Sequence, residues 1–205
     1  SWKLSKIEDF AQIKGGKRLP KGESLIRNKN DHPYIKVADM KPKMYLGLDN
    51  KFEFVESEIQ SKISRYIVSE GDLIITIVGA TIGKMNIIDS SLHNANLTEN
   101  CVKLTDLKYL TTNYLYQFLS SEQSKQEIEM RTVGGAQGKL PIYNIASMRV
   151  LIPDPVLIER YSSLTSILNS RMKEIVQEQD CLNKFKNLML SKMSFDETLQ
   201  TEQVV

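Results

Sequence analysis

The chain has 205 residues, 41% of them hydrophobic and 25% charged, a balance that excludes a disordered or fibrous polypeptide and allows a sizeable core. Lys and Arg number 27 against 25 Asp and Glu, a net charge of +2, so net charge selects neither an acidic nor a basic partner. The two cysteines, Cys101 and Cys181, are too few and too scattered for a disulfide framework or a zinc-ligand set, which makes the cytoplasm the expected compartment. The longest apolar run, Leu73 to Ala80 with Thr76 inside it, falls far short of the ~20 residues of a membrane helix, so no membrane partner is expected. The chain opens on Ser1-Trp-Lys-Leu4 without a signal core or an initiator Met. The expectation is therefore a processed or trimmed chain whose start lies upstream.

Charge is uneven along the chain. Between residues 14 and 29, Lys14, Lys17, Arg18, Lys21, Arg27 and Lys29 stand against Glu23 alone, and Gly15, Gly16, Pro20 and Gly22 interrupt them. This composition predicts an exposed basic loop rather than a helix or strand. Tyr34 to Val37 and Phe52 to Val55 read as short strands, followed by a polar helical piece from Glu56 to Ser64. The β-branched runs Tyr66–Val68 and Leu73–Val78 flank Glu70-Gly-Asp72, which suits two strands and a tight connection. Met85–Ile88 and Cys101–Leu104 extend the same sheet. Tyr114, Leu115, Phe118, Leu119 and Ile128 recur at near-helical spacing behind a capping Thr111, predicting two short helices. Gly134-Gly-Ala-Gln-Gly138 must be a loop, and Met148–Ile152 a last strand ended by Pro153 and Pro155.

After Pro155 there is no Gly or Pro as far as Met193, and one long helix is expected. Tyr161, Leu168, Ile175, Leu182 and Met189 fall seven apart, with Leu164, Met172 and Phe185 filling positions three or four further on. This is a coiled-coil seam. At ~1.5 Å per residue, about 38 residues make a rod of roughly 55 Å, longer than one small domain needs. Arg171, Glu178 and Gln179 interrupt the seam, which argues against a plain parallel zipper. The alternative is a core helix of a larger fold. Residues 194–205 carry no pattern and are expected to form a frayed, disordered tail.

Catalytic motifs fail one by one. Gly79-Ala-Thr-Ile-Gly83-Lys84 has three residues between its glycines and Met85 after the Lys, whereas a phosphate loop needs four and a Ser or Thr; a tight turn between strands is the expectation. Asp31-His-Pro-Tyr34 is similar to the Asp-Pro-Pro-Tyr loop of amino-methyltransferases, but its second residue is His and no glycine-rich cofactor motif accompanies it. Pro153-Asp154 lacks the acidic-x-Lys that would complete a nuclease motif. His32 and His93 have no Cys or His at ligand spacing, so neither a metal site nor a nucleophile pair is expected, and His93 reads as a surface or capping residue. No catalytic residue is assigned.

Several segments in this order resemble the specificity subunits of type I restriction–modification systems, at half size. They are Trp2-Lys-Leu4, Ile13-Lys-Gly-Gly-Lys-Arg-Leu-Pro-Lys-Gly22, Tyr34-Ile-Lys-Val-Ala-Asp-Met40, Gly71-Asp-Leu-Ile-Ile-Thr-Ile-Val-Gly-Ala-Thr-Ile-Gly83, Gly134-Gly-Ala-Gln137, and Leu151-Ile-Pro153 before the long helix. The resemblance implies an α/β (α+β) target recognition domain, residues 1–155, followed by a long coiled-coil spacer and dimerisation helix, residues 156–193. It implies a natural half subunit or one half of a longer protein. The family usually has Glu-Gln where this chain has Ile158-Glu-Arg160.

By the same resemblance the chain is a non-catalytic, prokaryotic DNA-binding subunit. Its partners are double-stranded DNA, a modification subunit that holds S-adenosylmethionine and methylates adenine, and, in restricting complexes, a motor subunit that uses ATP; the chain itself binds no cofactor. Two copies pairing their helices antiparallel would read a split palindrome. The basic loop, with Lys14, Lys17, Arg18, Lys21 and Arg27, would neutralise phosphates. Arg18, Lys36, Lys84, Gln137 and Lys139 flank predicted turns and are candidates for base edges, although each reads equally as part of a solvated lysine-rich surface. A rival class is a coiled-coil assembly protein whose globular head binds another protein and not DNA.

Overall fold

The computed structural model describes residues 2–49, 51–135 and 138–202. The chain divides into two compact units, residues 1–158 and 159–205. In the first, strands β1 (Lys3–Lys6), β2 (Gln12–Gly15), β3 (Pro33–Ile35), β4 (Tyr45–Leu46) and β5 (Glu53–Phe54) lead into helix α1 (Ser57–Ile63). Strands β6 (Leu73–Thr76), β7 (Met85–Ile88), β8 (Asn96–Leu97) and β9 (Cys101–Thr105) follow, then helices α2 (Thr112–Leu119), α3 (Glu122–Met130) and α4 (Ile142–Ala146), and strand β10 (Arg149–Ile152). Helix α5 runs from Pro155 to Glu202.

The central sheet has the order β2-β9-β6-β7-β4, and a small sheet has the order β5-β3-β8. Strand β6 explains why the sequence reads as an apolar run without alternation. Leu73 and Ile75 point into a core shared with Leu115 and Leu119 of α2 and Ile128 of α3. Ile74 points into a second core with Ile35, Phe54, Leu97 and Cys101 on the other face. With both faces covered, alternation disappears, and each large side chain withdrawn from water contributes about 1.5–3 kcal/mol. Thr111 and Ser121 cap α2 and α3 through their hydroxyls, which accept from Tyr114 N (3.3 Å) and Ser124 N (3.3 Å).

Two expectations need correction. Tyr66–Val68 is not a strand of the central sheet: Ile67 makes an isolated bridge to Asn96, and Val68 N donates to Ala95 O, so the β-branched run is pinned to the small sheet instead. Lys14 and Gly15 belong to β2, paired with Lys103 and Val102, and the loop begins only at Gly16. The expected last strand is present as β10, and it pairs with β1, Leu4 opposite Leu151; a four-residue strand at the start of the chain gave no alternation to find.

The second unit is the body of α5. Its backbone stays helical to Glu202, past residue 193, since neither Gly nor Pro stops it. Ile158, in the first turns of α5, is buried and belongs to the core of the first unit. Beyond it the seam residues face solvent: Leu164 is 74% exposed, Leu168 63%, Leu182 60% and Phe185 60%.

One glycine of the first unit is fixed by crowding rather than by torsion. A Cβ on Gly16 would sit 2.0 Å from the carbonyl oxygen of Thr98 and 2.4 Å from that of Leu97. Gly16→Ala should therefore cost about 2–3 kcal/mol, as overpacking against backbone does. Gly135→Ala, where a Cβ meets nothing within 4 Å, should stay within about 0.5 kcal/mol of the parent. Urea denaturation midpoints of the two variants check this, and equal midpoints would contradict it.

Candidate nucleic-acid interface

The register of the central sheet brings several loops to one end. Gly15, the last residue of β2, lies opposite Val102, and Thr76, the last of β6, opposite Cys101. Ile75 faces Met85, the first residue of β7. The basic loop after β2 and the Gly79–Gly83 turn between β6 and β7 thus leave the sheet together. The segment Leu97–Cys101 ties them down. Gly16 N donates to Cys101 O (3.0 Å), Lys17 N to Leu97 O (2.8 Å), Thr98 N to Ile35 O (3.1 Å) and Ile77 N to Asn100 O (2.8 Å). The segment 138–140 joins through Gly79 N to Gly138 O (3.2 Å) and Leu140 N to Ile77 O (2.8 Å).

This convergence gathers most of the residues singled out in the sequence. Lys14, Lys17, Arg18 and Lys21 follow or end β2, Lys36 follows β3, Lys84 ends the Gly79–Gly83 turn, and Lys139 bridges to Val78. Gln137 lies outside the described residues. The cations differ in how they are held. Arg18 Nε donates to Glu99 Oε1 (2.6 Å) while its side chain remains 78% exposed. Partial burial raises the Glu99 carboxyl, but hydrogen bonds from Arg18, its own backbone and Thr98 bring it below its ordinary value. That contact therefore persists at neutral pH and is lost as the pH falls through the depressed value.

Lys14 Nζ is 3.8 Å from Asp106, Lys36 pairs with Glu53, and Lys84 Nζ donates to Met40 O. Lys17 Nζ stands 5.8 Å from the centre of the Tyr66 ring, while the Tyr34 hydroxyl donates to Lys17 O (2.8 Å). Lys21, Arg27 and Lys139 are exposed, and no carboxylate contacts them among the described residues. The expected basic surface is thus mixed: some cations are prearranged by acidic neighbours and others are free to meet phosphate.

A groove of about 910 Å³ adjoins the turn, lined by Gly79, Gly83 and Lys84 on one side and by Lys125, Ile128 and Glu129 of α3 on the other. Gly79 and Gly83 have φ of +97° and +83°, which fits a tight hairpin turn that other residues would resist. It connects two strands and not a strand to a helix, as the failed phosphate-loop spacing predicts. Lys125 was not among the sequence candidates. Residues 122–130 alternate charge and polarity without a period, so nothing in them marks the side that faces the groove.

The remaining motifs are structural. Pro33 and Tyr34 of Asp31-His-Pro-Tyr34 form β3, and Tyr34 is 4% exposed, so its ring is not available to stack on a base. His93 closes a 3₁₀ turn at Ser90–Leu92, and its Nδ1 accepts from Glu70 N (3.3 Å). The Lys103–Asp72 pair (2.7 Å), with Asp72 buried and Lys103 half-buried, lies near the opposite end of the strands. No group of three potential metal ligands occurs among the described residues, and none of the helices is long and apolar enough to cross a membrane.

The family model for the type I restriction modification DNA specificity domain matches residues 1–157. The chain belongs to this family. Three solved chains resemble this specificity-domain protein in fold. The S subunit of a type I restriction–modification system from M. genitalium aligns with a TM-score of 0.59 at 15% identity, covering 86% of this chain and 41% of that one. The HsdS subunit from Thermoanaerobacter tengcongensis aligns with 0.59 at 14% identity, covering 84% and 38%. A chain from work on complex assembly and conformational transition of the type I R-M system aligns with 0.60 at 13% identity, covering 88% and 42%. The present chain thus spans about two fifths of the length of each. No curated protein matches it.

The free thiol inside the specificity domain supplies a probe of this end of the sheet. Burial pushes Cys101 up to about 12, although the Thr76 hydroxyl opposes it. At pH 8 an alkylating reagent should leave Cys101 unmodified in the folded chain and label it on unfolding. Peptide mass spectrometry reads the outcome; labelling of the native chain would show that the Leu97–Cys101 segment opens.

Proposed function

We propose that this chain is a sequence-specific DNA-binding specificity subunit that directs adenine methylation to a bipartite site. The observation that carries the reading is the convergence of exposed cations at one end of the sheet, in a domain of the specificity family. The free and loosely paired side chains Lys14, Lys17, Arg18, Lys21 and Arg27 supply phosphate contacts. Lys36, Lys84, Lys139 and Gln137 are the base-reading candidates, and Lys125 joins them from the far wall of the groove. The chain works as a homodimer through the exposed seam of α5, whose two-fold symmetry makes the DNA site a split palindrome. It is a cytoplasmic, prokaryotic subunit without catalytic groups. The modification subunit brings S-adenosylmethionine, and a motor subunit, where restriction accompanies modification, brings ATP.

Co-expression with a modification subunit encoded beside it, followed by mapping of methylated adenines across the host genome, tests the assignment. A split palindromic motif is expected. A split asymmetric motif would replace the homodimer with a different second half, and a stable complex without new methylation would favour an assembly protein whose head does not read DNA. The basic loop has its own test. Replacing Lys14, Lys17, Arg18 and Lys21 with Ala should abolish DNA retention at physiological salt and lower the slope of log affinity against log salt by up to about 3.6, with an unchanged melting temperature. Unchanged affinity would remove the loop from the DNA interface.

A further inference from the structure

We infer that Arg18 reads a guanine in the major groove through its Nη1 and Nη2 atoms, and that Glu99 is the positioning residue that aims them. The inference rests on the DNA-binding reading above. To the charge with which Arg18 draws phosphates it adds a base contact, and with it one letter of the recognised half-site.

The backbone leading to Arg18 is held from both sides. Lys17 N donates to Leu97 O (2.8 Å), and Lys17 O accepts from the hydroxyl of the buried Tyr34 (2.8 Å). The side chain is then held a second time, where Nε donates to Glu99 Oε1 (2.6 Å). Glu99 is a firm support: its Oε2 accepts from the hydroxyl of the buried Thr98 (3.1 Å), and both residues belong to the segment that anchors the loops. An exposed ion pair contributes at most about 1 kcal/mol to stability. What this one fixes is the direction of a side chain that stays 78% exposed.

The bond uses Nε and leaves the end of the fork open. Among the described residues nothing accepts from Nη1 or Nη2 of Arg18. Arg131 is the contrast: its Nε and Nη2 hold Glu127 (2.8 and 2.7 Å) and its Nη1 holds Ser147 Oγ (2.8 Å), so its donors are spent inside the domain. Lys36 and Lys84 are single charges already set against Glu53 and the Met40 carbonyl. In the major groove two adjacent acceptors, N7 and O6, belong to guanine alone; adenine pairs an acceptor with a donor, and thymine and cytosine each show one polar group. An open pair of coplanar N–H donors matches the guanine edge. Phosphate also accepts two such bonds, but the Glu99 carboxylate repels an anion set directly against the fork and spares a neutral base edge.

Fluorescence anisotropy of the full chain in complex with the modification subunit, titrated onto duplexes that carry the methylated motif, tests this. Each guanine of either strand in the half read by this domain is replaced in turn by 7-deazaguanine, which still pairs with cytosine but lacks the N7 acceptor. At one guanine the replacement should weaken parent binding by about tenfold or more, within the range of a bidentate base contact. The same replacement should weaken R18A and E99A by less than about threefold, because the contact is already lost in them. A merely structural role for the pair would weaken every duplex alike and leave the full 7-deazaguanine penalty in both variants. That result, a half-site without guanine, or a parent insensitive at every guanine overturns the inference while DNA binding stands. A penalty lost in R18A but kept in E99A overturns the part given to Glu99. A complex that binds no motif-bearing duplex overturns the DNA-binding reading and this inference together.

Discussion

The close passage of the Gly16 backbone beneath the carbonyls of Leu97 and Thr98 is the constraint on which the cation-bearing end of the domain depends. Because no side chain intervenes, the amides of Gly16 and Lys17 reach Cys101 O and Leu97 O at 3.0 and 2.8 Å. The basic loop thereby becomes a fixed extension of β2 and not a tether. The same short segment, Leu97–Cys101, bonds to Ile35 and Ile77, so the connections after β2, β3 and β6 share one anchor. A change in that anchor would move every cation grouped there at once, whereas a change at Lys21 or Arg27 would alter charge alone.

Some of this was legible in the residues and some was not. The β-branched character of Leu73–Val78 marked the central strand because burial on two faces favours apolar side chains at successive positions, with the buried Thr76 as the polar exception. The helices at 112–119 and 122–130 were marked by the capping Thr111 and by an apolar spacing that reaches only Ile128 in the second, and the seam of α5 by its period. Tyr66–Val68 misled, since β-branching records fit to a buried, extended backbone and does not say which neighbour supplies the hydrogen bonds. The pairing of β1 with β10 was invisible because long-range partners leave no local trace. Lys125 escaped notice for a related reason: its place in the groove depends on how α3 lies against the Gly79–Gly83 turn, and polar positions carry no period from which to infer it.

The scattered segments that carried the family resemblance turn out to be neighbours. Trp2-Lys-Leu4 and Leu151-Ile-Pro153 meet as β1 and β10. The glycine-rich stretch around residue 16 rests on the start of β9, and the Gly79–Gly83 turn meets Gly138 through its backbone. Each segment is weak as a motif because a pair of glycines or a Leu-Ile-Pro occurs widely. Their order becomes specific because the fold closes only when all of them find their partners.

The β1–β10 ladder has a wider implication. It sets Lys3 across from Ile152, so the polypeptide enters and leaves the domain side by side, on two strands that clasp each other. A unit with adjacent ends can be spliced in tandem, or inserted between helices, without disturbing the interior, since any added polypeptide departs from the same corner. The domain is in this sense a self-fastened module, and the helix that follows it is a handle that can be lengthened, exchanged or repeated without unfastening the two strands.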